Sequence, residues 1–150
     1  MNKISLIFIV LLFVTCKDKT AQNSPVPDVL VDVYINTTLP QYQQLNTIGG
    51  WAYYPAGNRG LFIYHNGLDE VVAFDRNCTY NVYDSCSIVS MDNSEAFLQC
   101  GSYKNSVWIP CCNSKYSLDG FVFGGPARYA LKKYYVARNG VQMHISSSPL

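Results

Sequence analysis

The chain has 150 residues, with eleven basic side chains against ten acidic ones, six cysteines and twelve tyrosines. That length suits one domain. A charge so near balance excludes a protein that binds nucleic acid by neutralising phosphates, because such binding needs a surplus of lysine and arginine.

Residues 1–15 place Lys3 ahead of an apolar run from Ile4 to Val14, the layout of a secretory leader. The run is shorter than the roughly 20 apolar residues that a spanning helix requires. It closes in "FVTC", which resembles a bacterial lipobox. The resemblance implies cleavage before Cys16 and lipidation of its thiol, with about 0.8 kcal/mol of anchoring per buried methylene. Losing Lys3 with the leader leaves ten basic against ten acidic side chains. "KDKTAQNSPVP", residues 17–27, is polar and carries two prolines, so residues 16–27 read as a lipidated cysteine and a flexible tether. The folded domain is then 28–150. Its expected place is the cell envelope of a Gram-negative bacterium, on the periplasmic or outer-surface side, attached to the membrane through lipid at Cys16.

From Asp28 onward the pattern is β. "DVLVDVYIN" alternates as a strand does, and "TLPQYQQLN", residues 38–46, is the single short helical stretch. "GLFIYHNGLDEVVAFD" sets two apolar runs around Asn66 and Gly67, a strong hairpin signal. "KYSLDGFVF" repeats the device with Asp119 and Gly120, and "LKKYYVARNGVQMHIS" with Asn139 and Gly140. No long segment of 3.6-residue periodicity follows the leader. The expectation is an all-β antiparallel sandwich or barrel of short strands and hairpins with at most one short helix.

Five cysteines lie in the domain: Cys78, Cys86, Cys100, Cys111 and Cys112. In an exported protein disulfides are the default for cysteine pairs. The number is odd, so one thiol stays free, pairs with another molecule or joins a metal site.

"GLFIYHNGLDEVVAFDRNCTYNVYDSC" resembles the first cluster-binding segment of Rieske iron–sulfur domains, in which a hairpin ending in AFDRxCTH delivers a Cys-x-His pair. "WIPCCNSKYSLDGFVFGGPARYALKKYYVARNGVQ" resembles the second, Cys-Pro-Cys-His-Gly-Ser followed by an aromatic, a turn, Gly-Pro-Ala and a closing hairpin. Ser114, Tyr116, Gly120, Gly125, Pro126, Ala127 and Leu131 fall on that pattern, and the resemblance covers residues 60 to 145. It implies a Rieske-like fold whose [2Fe–2S] cluster takes two thiolates on one iron and two imidazoles on the other. Carried over singly, the ligands mostly fail. Cys78 matches the first thiolate, Tyr80 stands at the first histidine, Ile109 at the second thiolate and Cys112 at the second histidine. A phenol with a pKa near 10 is a poor substitute for imidazole, and Ile109 has no lone pair. Sliding the second segment by two residues makes Cys111 a ligand but puts Ser114 in the histidine place. Neither register builds the cluster, so no metal and no cofactor is expected. Cys111 matches the cysteine that in the family forms a disulfide between the two loops. This implies a bridge from Cys86 to Cys111, with Cys78 reaching Cys112 across the former cluster space and Cys100 left free.

Cys78, Cys86, Cys100 and Cys112 form an alternative tetrathiolate set, but the Cys-x2-Cys spacing typical of such sites is absent. His65 beside its turn and His144 near the C-terminus have no neighbouring ligand pattern. No nucleophile elbow, phosphate loop or catalytic carboxylate pair argues for an enzyme. Tyr53 with Tyr54 and Tyr134 with Tyr135 should each point one ring outward, available to a glycan or a protein; strand packing is the plainer use of such rings. Two functions follow. One is a lipid-anchored envelope protein whose cluster-free Rieske-like domain is a structural or binding module for an envelope protein or glycan. The other is an electron-transfer protein holding a [2Fe–2S] cluster or another metal on altered ligands.

Overall fold

The computed structural model describes residues 24–68 and 70–149. Residues 1–23, with the expected leader, Cys16 and most of the expected tether, lie outside the described residues. Ten strands follow one another: β1 (Asp32–Asn36), β2 (Trp51–Tyr54), β3 (Leu61–His65), β4 (Val71–Asp75), β5 (Val89–Met91), β6 (Leu98–Lys104), β7 (Val107–Tyr116), β8 (Val122–Gly124), β9 (Lys133–Asn139) and β10 (Gln142–Ser146). Among the described residues a single 3-10 helix, Pro40–Asn46, lies between β1 and β2. Among the described residues no helix is long and apolar enough to cross a membrane. The fold is all-β, and every strand pairing is antiparallel.

Two sheets divide the strands. Six form the order β1-β10-β9-β4-β3-β2 and four the order β5-β6-β7-β8. The chain leaves the larger sheet after β4, builds the whole smaller sheet, and returns as β9 beside β4, with Ala73 opposite Tyr134. The smaller sheet is thus an insertion between two neighbouring strands.

Side-chain alternation explains why β3 and β4 look almost continuously apolar. Successive strand residues point to opposite faces. Leu61, Ile63, Val71 and Ala73 enter one core with Ile35, Leu45, Met143 and Ile145. Phe62, Val72 and Phe74 enter a second with Val89, Leu98, Tyr116 and Leu131. A strand covered on both faces has no polar side to show. The same double cover corrects the reading of Tyr53 and Tyr54. Both are half-buried, Tyr53 packing against the second core and Tyr54 against the first. Tyr134 and Tyr135 do split, the former buried and the latter 49% exposed. Packing also begins slightly before residue 28, since Val26 is buried.

The Asp119–Gly120 hairpin joins β7 to β8, and Gly120 has φ +83°. A Cβ there would stand 2.7 Å from the Phe74 ring, so glycine meets both a backbone and a packing demand. This contact seats the smaller sheet against β4.

Candidate functional site: three sulfurs beneath two loops

The first loop runs from Arg76 to Ile88, between β4 and β5. An isolated bridge between Asn77 and Ile88 closes its base, and the Cys78 amide donates to the Ser87 carbonyl at 3.2 Å. Arg76 holds the loop between the sheets. Its guanidinium lies 3.6 Å from the centre of the Tyr53 ring, and its Nε donates to the Val89 carbonyl at 2.9 Å. Burial lowers its pKa, opposed by the charges of Tyr53 and Asp75. Arg59 ties the loop tip down by donating to the carbonyls of Asp84 and Ser85.

The second loop is a bulge inside β7. Gln99 pairs with Lys115 and Gly101 with Pro110, so Cys100 alone on β6 opposes residues 111–114 on β7. The surplus residues bow out of the ladder, as an inserted segment must. Gly125, φ +82°, passes beneath them; a Cβ there would meet the Asn113 carbonyl oxygen at 2.2 Å.

Cys86 is joined to Cys111, linking the two loops. Cys78 is joined to Cys100, and among the described residues Cys112 is the free cysteine. The pairing of Cys78 with Cys112 and the free Cys100 are therefore corrected. Cys111 and Cys112 both lie in the bulge against the second core, but Cys111 is bonded to Cys86 while Cys112 turns its thiol to Ser114 Oγ. Cys100, paired across from Val89, enters the second core beside Cys78. Cys112 still approaches, its Sγ 3.7 Å from that of Cys78. The sulfurs of Cys78, Cys100 and Cys112 all lie within 4.8 Å of one another. Cys78 and Cys100 are fully buried, whereas Cys112 is partly open.

Hydroxyls surround this group. The Tyr116 phenol is 3.4 Å from Cys78 Sγ and accepts the Thr79 amide at 3.1 Å. Burial raises its pKa against the opposing Thr79 hydrogen bonds, so it stays protonated. The Thr79 hydroxyl is committed to the Tyr129 carbonyl. The Cys112 thiol donates to Ser114 Oγ at 3.2 Å, and that oxygen also accepts the Ala127 amide at 3.0 Å.

The other candidate ligands lie elsewhere. Tyr80 and Ile109 are exposed, at 38% and 44%. His65 Nδ1 is 3.0 Å from the Leu45 carbonyl oxygen. His144 stacks on Tyr34 with ring centres 4.2 Å apart and pairs with Asp32 at 2.6 Å. The tetrathiolate set is also broken, because Cys86 is bonded to Cys111 while the other three sulfurs gather. Nothing in the spacing of the sequence ties Cys100 to Cys78; the association depends on the register of β5, β6 and β7.

Neither a family model nor a curated protein matches the chain. Among solved structures, the cyanobacterial plasma membrane Rieske protein PetC3 from Synechocystis PCC 6803 is similar over 64% of this chain and 85% of its own, at 21% identity and a TM-score of 0.49.

The residues at the four matched positions do not fit a [2Fe–2S] cluster bound by two thiolates and two imidazoles. Cys78 shares its sulfur with Cys100, Ile109 cannot ligate, and both histidines are engaged on the larger sheet. Two disulfides accord with folding in an oxidising compartment.

Proposed function

We propose that this chain is a lipid-anchored envelope protein whose Rieske-like domain has exchanged its cluster for a disulfide clamp and serves as a non-enzymatic structural or binding module. The observation that carries this reading is the Cys78–Cys100 bond. Cys78 is the one residue matching a thiolate ligand, and its sulfur is engaged with a neighbour from β6. The frame persists around it: the Cys86–Cys111 link between loops, the bulge at residues 111–114 and the close passage at Gly125 all keep the loops together. Exposed apolar side chains on this smaller unit, among them Tyr80, Tyr83 and Ile109, offer contact area to an envelope protein or glycan. The anchor reading rests on Cys16 at the end of the leader's apolar run.

One preparation tests both parts. Protein extracted from membranes without oxygen should be colourless, should lack stoichiometric iron and acid-labile sulfide, and should carry lipid on Cys16. Stoichiometric iron with sulfide would overturn the cluster-free reading. Undiminished membrane attachment of a Cys16→Ser variant would overturn the anchor.

A further inference from the structure

We infer that Cys78, Cys100 and Cys112 form a redox-gated site for a thiophilic cation of the zinc class, closed while Cys78 and Cys100 are bonded and opened by their reduction. This goes beyond the clamp, which is the oxidised state of the same three sulfurs. Three thiolates on one tetrahedral zinc, with bonds of about 2.3 Å, stand about 3.8 Å apart. Cys112 is already at that spacing from Cys78, 3.7 Å between sulfurs. All three lie within 4.8 Å of one another, so breaking one bond leaves a triangle of nearly the required size.

The surroundings suit such a site. Its ligands come from three segments, the first loop, β6 and the β7 bulge, and β6 is paired with both β5 and β7. Two sulfurs are buried and the third is partly open, which provides one side for entry and for a water as fourth ligand. The Tyr116 phenol oxygen lies 3.4 Å from Cys78 Sγ and 3.0 Å from Thr79 Oγ1, so its one hydrogen can turn from the hydroxyl to a ligating thiolate. Ser114 Oγ accepts the Ala127 amide and lies 3.2 Å from Cys112 Sγ, within reach to turn its own hydrogen toward that sulfur when it ligates as a thiolate. Hydrogen bonds of this kind stabilise ligating thiolates and orient them.

The chemistry balances with a dithiol reductant. It delivers two electrons and two protons, the Cys78–Cys100 bond breaks into two thiols, and the reductant becomes a disulfide. Cation binding then releases three protons, one from each thiol. A disulfide oxidant reverses the step: it takes two electrons from the Cys78 and Cys100 thiolates and two protons from solvent to become a dithiol, the Cys78–Cys100 bond re-forms, and the ion loses two ligands and leaves.

The test uses the full chain, reduced with a phosphine in urea, refolded without oxygen and titrated with zinc against a chromophoric chelator. The reduced chain should bind one zinc, X-ray absorption should count three sulfurs around it, and the untreated chain should retain none. Cys112→Ser should abolish stoichiometric binding in the reduced chain. A Cys86→Ser/Cys111→Ser double variant should keep it, which excludes the second pair of thiols as the ligands. The inference falls if zinc persists in Cys112→Ser, if fewer than three sulfurs surround it, if the untreated chain binds equally, or if the reduced chain takes up no zinc, whether it is native by circular dichroism or unfolded. None of these outcomes bears on the iron and sulfide content of the untreated protein.

Discussion

Asp75 is the residue on which the entry to the first loop depends. It is fully buried, and its carboxylate takes four hydrogens. Oδ2 accepts the Asn58 amide at 2.7 Å and the Tyr134 phenol at 2.9 Å. Oδ1 accepts the Arg59 amide at 3.2 Å and the Asn77 amide at 2.9 Å. Burial and then the charge of Asp75 raise the Tyr134 pKa well above the ordinary tyrosine value, so this phenol always donates. Asp75→Ala leaves three backbone donors and a phenol unpaired in the interior and should cost about 4 kcal/mol. Tyr134→Phe removes one donor of the four and should cost about 1 kcal/mol. Urea denaturation of the two variants measures both, and equal losses would show that the carboxylate is not the organising group. The residue itself stands in the motif "AFDR", but its donors at Asn58 and Arg59 lie on the turn before β3, and no local pattern announces them.

At the scale of the element, the turn from β5 to β6 is built by one carboxylate. Asp92 Oδ2 accepts the Ser94 amide and hydroxyl, and Oδ1 accepts the amides of Ala96 and Phe97. Partial burial works against the charged form, but these hydrogen bonds outweigh it and lower the pKa of Asp92. A folded pKa below the unfolded value of about 3.9 gives stability that is present above pH 4 or so and lost as pH falls through the folded value. Asp92→Ala should therefore cost about 1 kcal/mol at neutral pH, and its difference from the parent should shrink in acid. Paired urea titrations from pH 7 to pH 2 check the trend; a constant difference would assign the effect to packing. Hairpins were legible where glycine marks them, at Gly67, Gly120 and Gly140. The β6–β7 turn carries Asn105 and Ser106 at φ +50° and +63°, between paired Lys104 and Val107. Left-handed conformations at both central residues are what a two-residue hairpin of the favoured hand requires. Without glycine the signal was too weak to read.

For the whole molecule, the all-β architecture and the joining of two loops were readable, because hairpin spacing and the Rieske-like segments are local patterns. The identity of the second clamp was not. Cys78 and Cys100 are 22 residues apart, and only the pairing of β5 with β6 and the bulge of β7 bring the latter beneath the loop. The two disulfides should differ in their response to reductant for a reason the packing supplies. Cys86 is exposed, whereas Cys78 and Cys100 are fully buried. Attack on a disulfide requires access to a sulfur, so mild reductant should open Cys86–Cys111 first and Cys78–Cys100 only under partly unfolding conditions. Each bridge closes a loop of similar size, with sequence separations of 25 and 22, and chain entropy assigns about 3 kcal/mol to either. Loss of one should lower the melting temperature by about 10 °C. Two reductive steps in the melting profile are expected, the first at low reductant. Non-reducing peptide maps should recover Cys86 with Cys111 and Cys78 with Cys100, with alkylation at Cys112 alone. Recovery of Cys78 with Cys112 would mean that the bulge turns its second cysteine, rather than β6, toward the first loop.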